Sequence, residues 1–320
     1  MVQAMLAERP ALDAKKFQNP EVTAKGEARA AVALSGLHTL WINTGSLCNI
    51  ECDGCYIESG PRNDRLAYIT RDETAAFLDE IARDALGTRE IGFTGGEPFM
   101  NRDLPAMTGD ALARGFRVLI LTNAMAPLWQ KRAAVADLAR RHGKALALRV
   151  SIDHFTPGGH EAVRGAGSWA PMMRGLKWLA GLGVTLSVAA RQPVGETEDE
   201  TRVGFAGLFA AESIALDARN PRDLVVFPDM TAARDVPEIT TACWGILGVD
   251  PASMMCATAR MVVKRKGAAA PVVLPCTLLP YDHRFEMGPT LADADGPVHL
   301  NHPHCATFCV LGGANCSGGD

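Results

Sequence analysis

The stretch that decides how this chain is interpreted is Cys48-Asn49-Ile50-Glu51-Cys52-Asp53-Gly54-Cys55, a loop with cysteines at spacings of four and three. It follows a short apolar segment, 39–44, that predicts a strand. A cubane iron–sulfur cluster needs thiolate ligands, and this spacing can place three sulfurs around three iron atoms. The fourth iron would then have no protein ligand, and such an open position is typical of reactive metal sites.

Two other interpretations of the three cysteines stay open. A zinc knuckle would need a fourth ligand, and no obvious one lies nearby in the sequence. The cysteines can also pack as small apolar side chains. We take the iron–sulfur cluster as the leading prediction.

Composition limits the class of protein. The chain has 320 residues, of which 48% are hydrophobic, so it can bury a sizeable core as two domains or one large barrel. A net charge of −4 and a pI near 6.1 predict neither nucleic acid nor a membrane as a partner. The N-terminus lacks a signal-peptide pattern, so we expect a cytoplasmic protein, in which nine cysteines indicate metal binding rather than disulfides.

Strand-like and helix-like segments alternate through the first three quarters of the chain. The helix after the first strand is well marked, because Thr70 and Glu73 form a capping box and apolar residues from Phe77 to Ala85 recur on one face. Six strand–helix repeats predict an α/β fold with a partial (β/α)6 TIM-type barrel. The predicted strands are 39–44, 89–94, 116–122, 146–152, 184–190 and 223–228.

The composition changes near Asp235. The chain beyond it holds six of the nine cysteines, many Gly and Pro residues, and one convincing strand pair, 260–264 and 272–274, around a turn at Gly267. Metal ligation would stabilise a segment whose core is this small. We therefore divide the chain into an N-terminal extension, 1–37, a partial barrel, 38–235, and a small cysteine-rich subdomain, 236–320.

The cysteine loop resembles that of the radical S-adenosylmethionine (SAM) superfamily, in which CxxxCxxC follows the first strand. There the open iron binds the amino and carboxylate groups of SAM, and the reduced 4Fe-4S cluster cleaves SAM to methionine and a 5′-deoxyadenosyl radical. Gly95, Gly96, Glu97 and Pro98 end the second predicted strand, where the family has its GGEP motif for the methionine amino group. Glycines let a ligand approach the backbone, and Glu97 supplies an acceptor.

Three further stretches resemble family positions: Thr122-Asn123 the TNG motif, Ser151-Ile152-Asp153 the SxD motif, and His160-Glu161 with Arg164-Gly165 the HxxxRG run. All follow the carboxyl ends of predicted parallel strands, where ligands bind in such sheets. The resemblance implies that Asn123, Ser151 and Asp153 hydrogen-bond the ribose or methionine part of SAM. Arg191, after the fifth strand, is a candidate partner for the SAM carboxylate. Residues of these types also stabilise turns at strand ends.

The loop departs from the family pattern at Gly54, where many members carry an aromatic residue. The nearest aromatic residue is Tyr56, which follows the third cysteine as in SPASM-type relatives. Tyr56 is therefore the candidate for SAM contact in this loop.

The C-terminal segment resembles the SPASM/twitch extension of the same superfamily. Cys256, the predicted hairpin and Cys276 follow its C…G…PC pattern, and 285–291 resembles its FxxG stretch. The resemblance implies one auxiliary 4Fe-4S cluster, because two would need eight ligands and only six C-terminal cysteines exist. The candidate ligands are Cys256 and Cys276 with two of Cys305, Cys309 and Cys316. We expect Cys243 to be a core thiol, and zinc is the alternative metal for the whole segment.

The motifs predict the superfamily but not the substrate, and they assign no catalytic side chain. We favour hydrogen abstraction from a small molecule, with the auxiliary cluster in electron transfer and a reducing partner such as flavodoxin or ferredoxin. The alternative is a peptide- or protein-modifying maturase, against which we count the fewer than 40 residues before the first strand. A non-catalytic iron–sulfur carrier is less expected, because the SAM-contact motifs accompany the cysteines.

Overall fold

The computed structural model describes residues 10–193, 195–228 and 235–313. The strands are β1 (Ala31–Val32), β2 (Thr39–Asn43), β3 (Glu90–Thr94), β4 (Arg117–Thr122), β5 (Leu146–Ser151), β6 (Thr185–Arg191), β7 (Leu224–Phe227), β8 (Ala259–Val263), β9 (Val272–Leu274) and β10 (Val298–His299). The helices are α1 (Arg71–Arg83), α2 (Leu104–Ala113), α3 (Ala126–His142), α4 (Pro157–Arg164), α5 (Trp169–Ala180), α6 (Glu198–Ala211) and α7 (Cys243–Leu247), and Cys305–Val310 forms a π-helical turn. No described helix is long and apolar enough to cross a lipid bilayer.

Eight strands form one sheet in the order β7-β6-β5-β4-β3-β2-β8-β9. Neighbours from β2 to β7 are parallel. All six predicted strands are present, each within one residue of its predicted bounds. The predicted partial barrel is therefore confirmed, and the sheet does not close on itself within the described part of the chain.

Side chains alternate between the two faces of the sheet, as the strand period of two requires. On β5, Leu148 and Val150 belong to the core between the sheet and the helices. Arg149 and Ser151 point to the opposite, inner face, where they line a cavity. This alternation separates the structural core from the inside of the barrel.

The predicted helix cap is confirmed at α1. The Thr70 hydroxyl accepts a hydrogen bond from the Glu73 N–H at 3.2 Å, and the Glu73 carboxylate accepts one from the Thr70 N–H at 2.9 Å. The prediction that Ala85 belongs to the apolar face of this helix is wrong. The helix ends at Arg83, and Ala85 lies beyond it with a left-handed φ of 50°.

The C-terminal hairpin is confirmed, since β8 and β9 pair antiparallel. Its position was not predicted. β8 also pairs in parallel with β2, with Thr39 opposite Ala259, so the cysteine-rich segment extends the sheet at its β2 edge.

The N-terminal residues pack on the C-terminal segment. β1 pairs with β10, Phe17 is buried, and Arg29 forms a buried ion pair with Glu238 at 2.5 Å. These contacts place residues 10–32 against the cysteine-rich segment, and the three-part division of the chain stays a prediction.

Gly92 is needed at the centre of β3 because the Trp41 ring of β2 covers it. A Cβ at this position would lie 2.3 Å from the ring. We expect Gly92→Ala to lower the free energy of unfolding by about 1–3 kcal/mol, the usual cost of overpacking. Gly109→Ala in α2 is the matched control, because a Cβ at Gly109 would contact only Leu138, at an ordinary distance of 3.6 Å. This substitution should raise the free energy of unfolding by about 0.5–1 kcal/mol. Urea unfolding of anaerobically purified protein measures both, and equal stability of Gly92→Ala and wild type would contradict the packing argument.

Candidate active site

One cavity lies at the carboxyl ends of the parallel strands. Its empty volume is about 1090 Å³, including the part open to solvent. Ten of the twelve residues predicted for the core cluster and SAM line it: Cys48, Cys52, Cys55, Tyr56, Gly95, Gly96, Asn123, Ser151, Asp153 and Arg191. Glu97 and Pro98 do not line it and are buried beside it.

The three thiols of the cysteine loop converge on this cavity. Burial raises the pKa of Cys48 to about 12, and burial also raises the pKa of Cys52. The loop itself has no regular secondary structure and is held by its backbone: the Asp53 N–H donates to the Val163 carbonyl of α4 at 2.8 Å. Cys48 is therefore buried and Cys52 and Cys55 are partly buried, on a loop that is held by a neighbouring helix.

The double glycine fixes the start of the cysteine loop. A Cβ at Gly95 would lie 2.5 Å from the Gly45 carbonyl oxygen, and one at Gly96 would lie 2.1 Å from that of Leu47. The Gly96 N–H instead donates to the Gly45 carbonyl at 2.9 Å. The glycines thus serve the close approach of two backbones, a role in addition to the ligand approach that the sequence predicts.

Glu97 joins β3 to the end of β4. Its carboxylate accepts hydrogen bonds from the Asn123 N–H at 2.7 Å, the Thr122 hydroxyl at 2.9 Å and the Phe99 N–H at 3.2 Å. Burial raises the pKa of Glu97 to about 7, although these hydrogen bonds act in the opposite direction. Its predicted role as an acceptor for SAM stays a prediction.

Asn123 joins β4 to the cysteine loop. Its side-chain Nδ2 donates to Asn49 Oδ1 at 2.9 Å and lies 3.9 Å from Cys48 Sγ. A side-chain N–H directed at a thiolate stabilises its charge. The residue that the sequence assigns to SAM is therefore also in contact with the first cysteine.

Asp153 is buried at the centre of a charge network. It accepts from Arg164 Nε at 2.6 Å and from Arg191 Nε at 3.0 Å. Burial acts to raise the pKa of Asp153, but the two arginines outweigh it and hold that pKa below its ordinary value. Arg191 also donates to the carbonyls of Asp53 and Gly54 at 3.0 and 3.1 Å, so the network reaches the cysteine loop.

The same contact explains the departure at Gly54. Its φ is +59°, and a Cβ there would lie 3.3 Å from the Arg191 guanidinium. A left-handed backbone beside an arginine favours glycine over an aromatic residue. Tyr56, the aromatic residue that the sequence offers instead, directly follows Cys55 in the chain and lines the cavity.

Sequence reasoning missed several cavity residues. The motifs give Arg164 no role of its own, and they do not include Arg149, Leu121 or Phe227, although all four residues line the cavity. Arg149 could have been found from its spacing, because a charged residue two positions before Ser151 must share its face of the strand.

A second cavity lies in the C-terminal segment and gathers four cysteines. Cys256, Cys276, Cys305 and Cys309 line it together with His304. The spacing of Cys305 and Cys309 puts both on one face of the π-helical turn. Burial raises the pKa of Cys256 to about 11 and that of Cys305 to about 12.

The other C-terminal cysteines differ in position. Cys243 starts α7, where its sulfur lies 3.4 Å from the Thr240 N–H and packs against the neighbouring core. Cys316 lies outside the described residues. No disulfide joins the eight cysteines that the structure describes, and no three His, Cys, Asp or Glu residues among the described ones are arranged to hold a single metal ion.

The fold and part of the sequence are similar to those of known proteins. The fold is similar to that of SuiB from Streptococcus suis, in a crystal structure bound to S-adenosylmethionine, with a TM-score of 0.58, 12% identity and coverage of 79% of this chain and 63% of that one. The sequence is 30% identical over 158 residues to the mycofactocin maturase MftC of Mycobacterium ulcerans and 28% identical over 141 residues to the GTP 3′,8-cyclase of Tolumonas auensis. These alignments cover 48% and 44% of this chain, and 40% of the length of each of these curated relatives.

The sequence profile of the radical SAM superfamily matches residues 42–203, about half of the chain. The chain belongs to the radical SAM superfamily and is an enzyme of that family, whose members use a 4Fe-4S cluster and SAM. The residues present fit these groups. The first cavity supplies three thiols and no fourth one among the described residues that line it, as a cluster with an open iron requires.

Removing the charge of Asp153 should destabilise the protein. Asp153→Asn leaves the buried Arg164 guanidinium, 12% exposed, without its carboxylate, so we expect the free energy of unfolding to fall by about 3 kcal/mol at pH 7. Because the pKa of Asp153 is lowered in the folded state, its stabilisation is present above the unfolded pKa and lost below it, and the difference from wild type should shrink below about pH 4.

Urea unfolding across this pH range measures the effect. Asp137→Asn is the matched control, because Asp137 also pairs with two arginines but on the exposed surface of α3, where solvent screens the charges and only a small loss is expected. Equal losses in the two variants would contradict a buried network at Asp153.

Proposed function

We propose that this enzyme cleaves SAM reductively and abstracts hydrogen from a small molecule. The observation that supports it is the gathering of Cys48, Cys52 and Cys55 with seven predicted SAM-site residues around one cavity. When bound, the cluster and SAM supply a 5′-deoxyadenosyl radical, since one electron breaks a carbon–sulfur bond of SAM and releases methionine. We place the enzyme in the cytoplasm, where free thiols persist and a flavodoxin or ferredoxin can deliver that electron.

The residues of the chain have three tasks in this proposal. Cys48, Cys52 and Cys55 ligate the core cluster, and Asn123 donates toward the first of them. Gly95, Gly96, Glu97 and Pro98 shape the binding site for the methionine amino group. Tyr56, Ser151, Asp153 and Arg191 contact the rest of SAM, with Arg191 the partner of its carboxylate.

The inner wall of the cavity has to protect a reactive carbon radical from water. Leu121 and Phe227 provide apolar surface there, on strands β4 and β7. A dry wall of this kind keeps the substrate carbon, rather than solvent, as the hydrogen donor. It also favours a substrate that fits inside the barrel.

The second cavity is proposed to hold an auxiliary 4Fe-4S cluster, ligated by Cys256, Cys276, Cys305 and Cys309. Four thiols satisfy a fully protein-ligated cubane. We assign it to electron transfer: a substrate radical that loses one electron and one proton leaves an oxidised product. The segment 236–320 would then be a SPASM/twitch-type subdomain.

A peptide substrate is the second candidate. It is favoured by the similarity to MftC, named a maturase, and by the shared fold with SuiB, which has also been crystallised bound to its precursor peptide SuiA. Ultrafiltration of cell extract distinguishes the two candidate substrate classes. A small-molecule substrate stimulates 5′-deoxyadenosine formation from the filtrate, whereas a peptide substrate leaves the stimulation in the retained fraction.

The core cluster assignment predicts the loss of SAM cleavage in the triple variant Cys48→Ala, Cys52→Ala, Cys55→Ala. Each change removes a thiolate that no neighbouring residue of the loop replaces. The measurement is 5′-deoxyadenosine from anaerobically reconstituted, reduced protein. Cys243→Ala is the control, since Cys243 lies outside both cavities, and it should retain activity. Wild-type cleavage by the triple variant would reject the proposed function.

The proposed auxiliary cluster in the second cavity implies that the variant Cys276→Ala loses part of its iron. Wild type should bind about eight irons per chain and this variant about four, because one of two cubanes loses a ligand. With a stimulating extract fraction, the variant should still form 5′-deoxyadenosine but fail to give the oxidised product. A variant that keeps all its iron, or a wild-type segment that binds zinc instead, would contradict this assignment.

A further inference from the structure

Arg260 is a buried cation in the cysteine-rich segment. It lies on β8 and is 1% exposed. Its guanidinium donates to four backbone carbonyls, those of Cys256 at 2.6 Å, Ala259 at 2.8 Å, Ala294 at 2.8 Å and Gly296 at 3.2 Å. Carbonyl oxygens satisfy the N–H groups of a guanidinium, but they carry no net charge that would neutralise it.

The charge of Arg260 is not neutralised by an adjacent carboxylate. Among the described residues, none brings a carboxylate oxygen within ion-pair distance of this guanidinium, whose hydrogen bonds all go to carbonyls. Asp295 acts on it from further away and is exposed to solvent, which weakens its effect. Arg29, by contrast, is buried in an ion pair with Glu238. Arg260 therefore keeps a positive charge that Arg29 shares with its partner.

The cysteines of the second cavity lie close to this charge. Because the guanidinium binds the Cys256 carbonyl at 2.6 Å, the bonds between that oxygen and Cys256 Sγ keep the sulfur within about 8 Å of it. Burial lowers the pKa of Arg260, whereas Cys256, Asp295 and Cys276 act to raise it. An arginine in a protein stays protonated at neutral pH. The guanidinium thus acts on two of the four proposed ligands of the auxiliary cluster.

A fixed positive charge beside these cysteines changes how readily the site takes up an electron. One-electron reduction of a 4Fe-4S cluster held by four thiolates adds one negative charge to an anionic group. Buried charges are screened little by salt and solvent, so a nearby cation stabilises the reduced state. The net charge and hydrogen bonds around a cluster are among the factors that set its potential.

We propose that Arg260 raises the reduction potential of the auxiliary cluster and thereby makes it an electron acceptor for the substrate radical. The inference rests on the proposed function, which assigns that cluster to the second cavity. In the proposed step the substrate radical gives one electron to the cluster and releases one proton, and a higher potential favours this direction. Arg260 acts on the cluster through its charge and through Cys256, so it is a tuning residue and not a catalytic one.

The test measures the potential rather than turnover. The full-length triple variant Cys48→Ala, Cys52→Ala, Cys55→Ala removes the core cluster, so electron paramagnetic resonance during a reductive titration reports the auxiliary cluster alone. In this background we expect Arg260→Gln to lower the midpoint potential by at least about 59 mV, which is a tenfold change in the equilibrium constant for a one-electron couple. Arg260→Lys should lower it less, because it keeps the charge.

A matched control removes a buried arginine without changing the net charge. The double variant Arg29→Gln, Glu238→Gln deletes the buried ion pair, and Arg29 acts on the charge of Cys305 as Arg260 acts on that of Cys256. Its midpoint potential should stay close to that of the background. A fall equal to that of Arg260→Gln would overturn the proposal, because the effect would not come from an unneutralised charge.

Iron content separates the charge of Arg260 from a role as a brace for the backbone. A brace alone predicts that Arg260→Gln and Arg260→Lys both lose the cluster, since each loses hydrogen bonds to the carbonyls. If Arg260→Gln binds no iron, Arg260→Lys decides: iron retained at a potential near that of the background supports the proposal, and loss of iron overturns it.

The remaining outcomes distinguish this inference from the proposed function. An Arg260→Gln variant that keeps its iron at an unchanged potential overturns the inference and leaves the auxiliary cluster intact. Absence of iron from the background variant rejects the auxiliary cluster and the inference with it. The assay of 5′-deoxyadenosine formation by wild type still decides on the core cluster in that case.

Discussion

The cysteine loop has to be rigid although it contains no helix or strand, and the ends of the parallel strands provide that rigidity. The Gly96 N–H binds the Gly45 carbonyl at one end of the loop, and Arg191 binds the Asp53 and Gly54 carbonyls at the other. These contacts join the loop to β3 and β6. A site built this way keeps its geometry because the sheet, rather than the loop, determines it.

Much of this arrangement could be predicted from the sequence. The strands were predictable because each is a short apolar run, and CxxxCxxC and GGEP are specific enough to identify the ends of β2 and β3. A local sequence pattern does not indicate which distant segments of the chain pair with each other. Nothing in the sequence of β8 indicates that it joins β2 in parallel, or that residues 10–32 pack on the C-terminal segment, because both depend on the complete core.

In the candidate active site, too, contacts between distant residues could not be predicted from the sequence. Gly95 and Asn123 were predicted as SAM contacts from their motifs, but their backbone and amide contacts with the cysteine loop depend on distances that only the fold supplies. Arg149 belongs to no motif that we recognised, and its place inside the barrel follows from the alternation along β5. Motifs thus identify the shared chemistry of the family, while the position of a residue such as Arg149 has to be deduced from the alternation of side chains along its strand.

The pairing of β8 with β2 has a consequence for how the protein is made. β2 is among the first strands to leave the ribosome, whereas its neighbour β8 is synthesised only after the whole partial barrel. Until then one side of β2 is an open sheet edge, a surface that invites pairing with other chains. In the nascent chain this edge of β2 therefore stays exposed until β8 is made, and the C-terminal segment is the part of the chain that covers it.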